Sequence, residues 1–133
     1  ARQGQIDYLV MEYLAEVTMS IMQKQKVRNP NAGYARDFVD VVTTLMPDMK
    51  EKGFKIISNA GGVNPHDCKD AILAFARDNG YSGIKVAVVD GDNILDNLDE
   101  IIEKGHDLNN METGNPIISV KDQLLSANVY FGA

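Results

Sequence analysis

The feature that most constrains this chain is an alternation of two periods. Short, nearly continuous apolar runs at residues 6–11, 54–58, 84–89 and 124–130 are separated by stretches whose apolar residues recur every three or four positions. The runs at 54–58 and 84–89 are rich in β-branched residues, as expected of strands covered on both faces. Between the runs, Leu14, Val17, Ile21 and Met22 fall on one helix face, and so do Phe38, Val42, Leu45 and Met49, with Gly53 as a stop signal. Pro47 lies inside the second pattern and predicts a kink or a break near Met46. A third helix carries Cys68, Ile72, Phe75 and Ala76. A fourth carries Ile94, Leu98, Ile101 and Ile102 and stops at Gly105. Residues 106–121 form the longest irregular segment, of the kind that often supplies lids or binding loops.

Strands alternating with helices imply parallel pairing through right-handed crossovers, because parallel neighbours cannot be joined by a tight turn. The expected fold class is therefore α/β: a parallel sheet of about four strands with helices on both faces, Rossmann-like and doubly wound. Part of a (β/α) barrel is the alternative. With 133 residues the chain suits a single domain, 1–133. It lacks an initiating Met and stops at Phe131, Gly132 and Ala133, directly after a run read as a strand. A piece of a longer protein is the expectation.

Charge narrows the partners. There are 19 acidic residues against 13 Lys and Arg, for a net charge of −6. Nucleic acid is excluded as a partner on that balance, since phosphate backbones are held by clustered bases. The densest basic stretch, 24–28, is the tail of a predicted helix, where cations complement the negative end of the dipole. No apolar run approaches the ~20 residues of a membrane span, and the first residues carry no h-region of a secretory signal. The single cysteine suits a reducing compartment, and the cytoplasm is the expected location.

In either architecture ligands sit beyond the carboxyl ends of the strands. Glu12, Tyr13 and Glu16 follow the first run, Asn59-Ala60-Gly61-Gly62-Val63-Asn64-Pro65 the second, and Asp90-Gly91-Asp92-Asn93 the third, while Ser126 and Asn128 belong to the fourth. In the second of these segments Gly61 and Gly62 let a ligand approach the backbone. Asn64 is a good N-cap and Pro65 fits the first helical position. The loop so feeds a helix N-terminus, where free N–H groups favour an anion. The segment has neither GxGxxG spacing nor the Lys of a Walker loop, so it names no nucleotide, and no cofactor is identified. A tight strand-to-helix turn that needs glycine for geometry alone is the competing account. Asp90 and Asp92 can hold Mg²⁺ with several waters, or one can serve as a base with its affinity for protons raised by the other. Against this, Asp92 or Asn93 can simply cap the fourth helix while Asp90 braces the turn. The candidate catalytic residues are thus Asp90 and Asp92. The candidate binding residues are Glu12, Asn59, Gly61, Gly62, Asn64 and Asn128. The identity of any metal is open. Cys68, in the first turn of the third helix, can be a nucleophilic thiol, but it starts an apolar stripe and is expected to be buried. His66 and His106 are expected on the surface. Glu112 can reach the site as a lid residue or belong to an ordinary turn in the long loop, the turn being the expectation.

Ile6-Asp7-Tyr8-Leu9, Tyr13-Leu14-Ala15-Glu16-Val17-Thr18-Met19 and Gly33-Tyr34-Ala35-Arg36-Asp37-Phe38 resemble the acyclic terpene utilisation protein family. The glycine segment, Asp90-Gly91-Asp92 and Leu125-Ser126-Ala127-Asn128 extend the resemblance in the same order, over nearly the whole chain. It implies a piece of the family's amino-terminal region and a setting in bacterial breakdown of citronellol- and geraniol-like terpenes through acyl-CoA intermediates. It brings no established catalytic residues. Two functions follow. One is an enzyme, or the substrate-binding part of one, acting on a small acyl or acyl-CoA-like anionic metabolite. The other is a non-catalytic binding or assembly module. The expected partners are that small molecule and, through uncovered terminal strands, further copies of the chain or the remainder of a longer one.

Overall fold

The computed structural model describes residues 1–130; Phe131, Gly132 and Ala133, where the last run ends, lie outside the described residues. The chain forms two compact units, Ala1–Val89 and Asp90–Ala133.

The first unit holds β1 (Tyr8–Met11), α1 (Glu16–Arg28), α2 (Arg36–Lys52), β2 (Lys55–Ser58) and α3 (Pro65–Asp78). β1 and β2 pair in parallel with Tyr8 opposite Lys55 and Met11 opposite Ser58, joined by a two-helix crossover. Period two then sorts the side chains. Met11 and Ile56 turn inward onto a core made by Phe38, Val42 and Met46 of α2, and Cys68, Ile72 and Ala76 of α3. Met46 is wholly enclosed. α2 ends as its sequence predicts: Gly53 takes φ +74° and donates its N–H to the Met49 carbonyl at 2.9 Å, a left-handed cap open to glycine.

Pro47 does not break α2, which runs unbroken from Arg36 to Lys52. A proline in a helix interior costs about 3 kcal/mol. Burial of Phe38, Val42 and Met46 stabilises the same helix by about 1.5–3 kcal/mol per side chain, so the core outweighs the lost bond.

The expected four-stranded sheet is not formed, and neither is a barrel: among the described residues β1 and β2 are the whole sheet. The run at 84–89 keeps the alternation of a strand, with Ile84, Val86 and Val88 half-buried and Lys85, Ala87 and Val89 exposed. Ile84 and Val86 reach the core, yet the run forms no strand, and Val89 is 91 % exposed. A one-sided apolar stripe accounts for the pattern. Among the described residues helices do not cover both faces either: Tyr8, Val10 and Ile57 stand exposed on the outer face, with the Lys55 ammonium 5.4 Å from the centre of the Tyr8 ring.

In the second unit a 3₁₀ turn (Leu95–Asn97) runs into the short helix α4 (Leu98–Glu103), and two further 3₁₀ turns follow at Ile117–Ser119 and Lys121–Gln123. The run at 124–130 contributes an isolated antiparallel bridge, Asn128 to Asn93, in place of a strand. No helix of the described residues is long and apolar enough to cross a membrane.

Candidate functional site

The carboxyl ends of β1 and β2 are tied together by polar contacts. Asn59 Oδ1 accepts the Tyr13 N–H at 2.8 Å, joining the residues just past each strand. The 29–35 loop between α1 and α2 is stitched to the glycine segment: Ala35 N–H donates to the Ala60 carbonyl and Val63 N–H to the Gly33 carbonyl, each at 2.9 Å. Lys26 Nζ of α1 donates to the Val63 carbonyl at 2.7 Å.

This stitching explains the paired glycines. Gly62 has φ +55°, and a Cβ there would overlap Met22 Sδ and lie 2.6 Å from the Gly33 carbonyl oxygen. A Cβ on Gly61 would lie 2.7 Å from Pro65 Cβ. The backbone approached at Gly62 is the chain's own. Asn64 is 8 % exposed, and its Nδ2 lies 2.9 Å from the carbonyl oxygens of Pro30 and Ala32 and 2.7 Å from Asp67 Oδ2. It therefore flanks α3 without capping it by its side chain, although Pro65 does open the helix. Glu12 is exposed beside Tyr13.

Against these loops lies a cleft of about 640 Å³. α1 turns Thr18, Ile21, Met22, Gln25 and Arg28 toward it, at the spacing of one helix face. Its far side is Tyr34, Ala35 and Arg36, where α2 begins. Tyr13 closes the end nearest β1 and stacks edge-on against Phe38, with ring centres 5.5 Å apart at 72°. Burial raises the pKa of the Tyr13 hydroxyl, and the nearby Asp37 carboxylate adds to the effect, so Tyr13 stays protonated as a hydrogen-bond donor. Ala35, which precedes α2, supplies no side-chain cap. The lining thus combines apolar side chains with two guanidinium groups, one carboxylate, the hydroxyls of Tyr13, Thr18 and Tyr34, and the amides of Gln25 and Asn29. Because Tyr13 follows β1 and Ala35 is bonded to the loop after β2, the cleft borders the carboxyl ends of the sheet.

In the second unit Asn128 Nδ2 donates to Asp92 Oδ2 at 2.9 Å, and Val129 N–H to the Asp92 carbonyl at 2.8 Å. Asn93 Oδ1 accepts the Leu95 N–H at 3.0 Å, so Asn93 caps the turn into α4. Asp90 is exposed at the start of the unit. Since the runs at 84–89 and 124–130 are not sheet strands, the strand-end rule reaches Glu12, Asn59, Gly61, Gly62 and Asn64 only. Asp90, Asp92 and Asn128 rest on their local geometry. Among the described residues no group of three or more His, Cys, Asp or Glu side chains is gathered to hold a metal. Cys68 is buried, which pushes its thiol up to about 11 and leaves it protonated at neutral pH. His66 and His106 are exposed, and Asn110 Oδ1 accepts the N–H groups of Glu112 and Thr113 in a turn.

Sequence reasoning missed Arg28, Tyr34 and Arg36. The available signal was the stripe Thr18, Ile21, Met22, Gln25, Arg28, which mixes polar and apolar groups on one face as a ligand-facing wall does.

Comparison with known proteins fits this chain to one family. The model described as acyclic terpene utilisation family protein AtuA matches residues 1–133. No curated protein and no solved structure matches. With the whole length matched, the chain belongs to the AtuA family, and membership implies involvement in acyclic terpene utilisation.

Proposed function

We propose that this chain binds a small anionic metabolite of acyclic terpene breakdown, an acyl or acyl-CoA-like species, at the carboxyl ends of β1 and β2. The observation that carries the reading is the cleft of about 640 Å³, within the range of roughly 300–1,000 Å³ typical of small-molecule sites. Its apolar floor suits a hydrocarbon chain and its arginines an acid. Asn59 contributes by fixing Tyr13, Gly62 by seating Met22, and Gly61 and Asn64 by holding the loop that carries Ala35; Glu12 stands at the β1 end. Asp90 and Asp92 are assigned as a base or cation ligand, with Asn128 orienting Asp92. A cytoplasmic setting goes with the reduced, buried Cys68.

Thermal shift and calorimetry with citronellate, geranate and their CoA thioesters test the binding. A ligand at a hundred times its Kd stabilises the folded state by about 2.7 kcal/mol. The expected result is a concentration-dependent shift that Ile21→Asp abolishes, since Ile21 is half-exposed and the substitution places a carboxylate in the cleft without disturbing the core. A flat response to all four compounds rejects the reading. Alanine at Asp90 and Asp92 should abolish growth on citronellol; unchanged growth removes both from the mechanism.

A second reading, an assembly module, is favoured by the exposed Tyr8, Val10 and Ile57 on the outer sheet face. Light scattering separates the two: self-association that Val10→Lys removes supports assembly.

A further inference from the structure

Resting on the binding reading above, we infer that the cleft selects by head group: it takes the free carboxylate of a medium-length apolar acid, held by Arg28 and Arg36, in preference to its CoA thioester. The chain is acid-rich, and many of its bases are engaged. Arg2, Lys69, Arg77, Lys104 and Lys121 form ion pairs with carboxylates, and Lys26 and Lys52 donate to backbone carbonyls. The side chains of Lys24, Arg28, Arg36, Lys50 and Lys85 have no ion pair or hydrogen bond to a described residue, and of these Arg28 and Arg36 line the cleft. Arg36 is also the first residue of α2. That is the positive end of the helix dipole, where a cation is unfavourable and an anion welcome. A carboxylate bound there would offset the unfavourable charge. Guanidinium groups grip carboxylates through two parallel bonds, which a neutral ester or an alcohol cannot match.

Two quantities decide between acid and thioester. Asp37 also lines the cleft, so its charged side chains sum to a single positive charge. This balances one carboxylate and not the several phosphate charges of CoA, which the net charge of −6 further repels. Size points the same way. At the ~30 Å³ that a water occupies in the liquid, taken per heavy atom, an acid of about a dozen heavy atoms needs roughly 360 Å³, and a CoA thioester of about sixty needs roughly 1,800 Å³. The cleft of about 640 Å³ holds the first whole and would leave most of the second outside. In this arrangement the hydrocarbon lies along Ile21, Met22 and Ala35, and the Tyr13 hydroxyl remains a neutral donor.

Calorimetric titration of the full chain with decanoate, methyl decanoate, decanol and decanoyl-CoA tests the inference, using wild type, Arg28→Gln and Arg36→Gln. Decanoate should bind at least tenfold more tightly than the other three. Each glutamine variant should weaken decanoate about tenfold, the loss expected for one charged hydrogen-bonding partner, and leave decanol unchanged. Both arginines are exposed; Arg36→Gln removes an unfavourable helix-end charge and Arg28→Gln a favourable one, so the unliganded melting temperature should hold or rise for the first and hold or fall slightly for the second. Decanoyl-CoA binding as tightly as decanoate, or decanoate binding untouched by both variants, overturns the head-group inference while binding at the strand ends stands. No binding by any of the four overturns the underlying reading as well.

Discussion

Gly62→Ala probes the joint on which the cleft wall rests. The residue has φ +55°, so an alanine there carries the left-handed penalty of about 1–2 kcal/mol. Its new methyl group would lie 2.6 Å from the Gly33 carbonyl oxygen and overlap Met22 Sδ. Met22 can swing aside, but the carbonyl is backbone, fixed by the bond from Val63 N–H, and forced overpacking of this kind costs about 1–3 kcal/mol. The stiffer unfolded chain returns about 0.4–1 kcal/mol. The net expectation is a loss of about 1–4.6 kcal/mol from a total stability of about 5–15 kcal/mol. Gly80→Ala is the internal control. Gly80 has φ +75° and nothing within 4 Å of a Cβ, so it carries the backbone penalty without the clash. Urea unfolding followed by circular dichroism should place Gly62→Ala about 1–3 kcal/mol below Gly80→Ala. Equal losses in the two variants would show that Gly62 is not pinned between α1 and the 29–35 loop, and the account of the cleft wall would fall with it.

Further consequences are open to measurement. Met46→Ala empties a fully enclosed site on α2 and should cost about 2–5 kcal/mol by denaturant titration. Asn64→Ala strips the Pro30 and Ala32 carbonyls of a buried donor, for about 1–3 kcal/mol; Asn64→Asp, which sets a carboxylate against those carbonyls and Asp67, should cost more at pH 7. The thiol of Cys68 is raised from 9.0 to about 11 by burial. Its contribution to stability is therefore complete below pH 9 and is lost as pH rises through 11, because the unfolded state releases the proton first. Cys68→Ala should flatten the stability profile across that window, and a profile unchanged by the substitution would contradict the burial of the thiol.

What could be read from the sequence was what is local. The helices α2 and α3, the stop at Gly53 and the start of α3 at Pro65 follow from spacing and backbone preference and are found where expected, although in the α3 stripe Phe75 is 36 % exposed while Cys68, Ile72 and Ala76 are buried. The parallel pairing of β1 and β2 followed from the length of their connection. The errors arose where distant residues decide. Ile84, Val86 and Val88 have the alternation of a strand, but a strand also needs a partner, and alternation does not supply one. Of the kink or break expected near Met46, the break does not occur, because the burial that holds α2 together comes from α3 and the strands. Asn64 looked like a cap, but carbonyls more than thirty residues upstream claim its amide. The candidate site was half legible for the same reason. The strand ends pointed to the edge of the first unit that the cleft borders, whereas Arg28 read as a helix-end charge, and the 29–35 loop brings it to the same cleft as Arg36.

The anchoring of α1 has a dynamic consequence. Met22 is its sole fully buried residue, Val17 and Val27 are exposed and Ile21 is half-exposed along the cleft, so the helix is anchored chiefly by one thioether over Gly62 and one ammonium on Val63. A segment with so few apolar contacts sits at the low end of the ladder of local opening energies. Amide protons of α1 should exchange with deuterated solvent well before those of α2 and α3, and the entrance to the cleft should breathe with them.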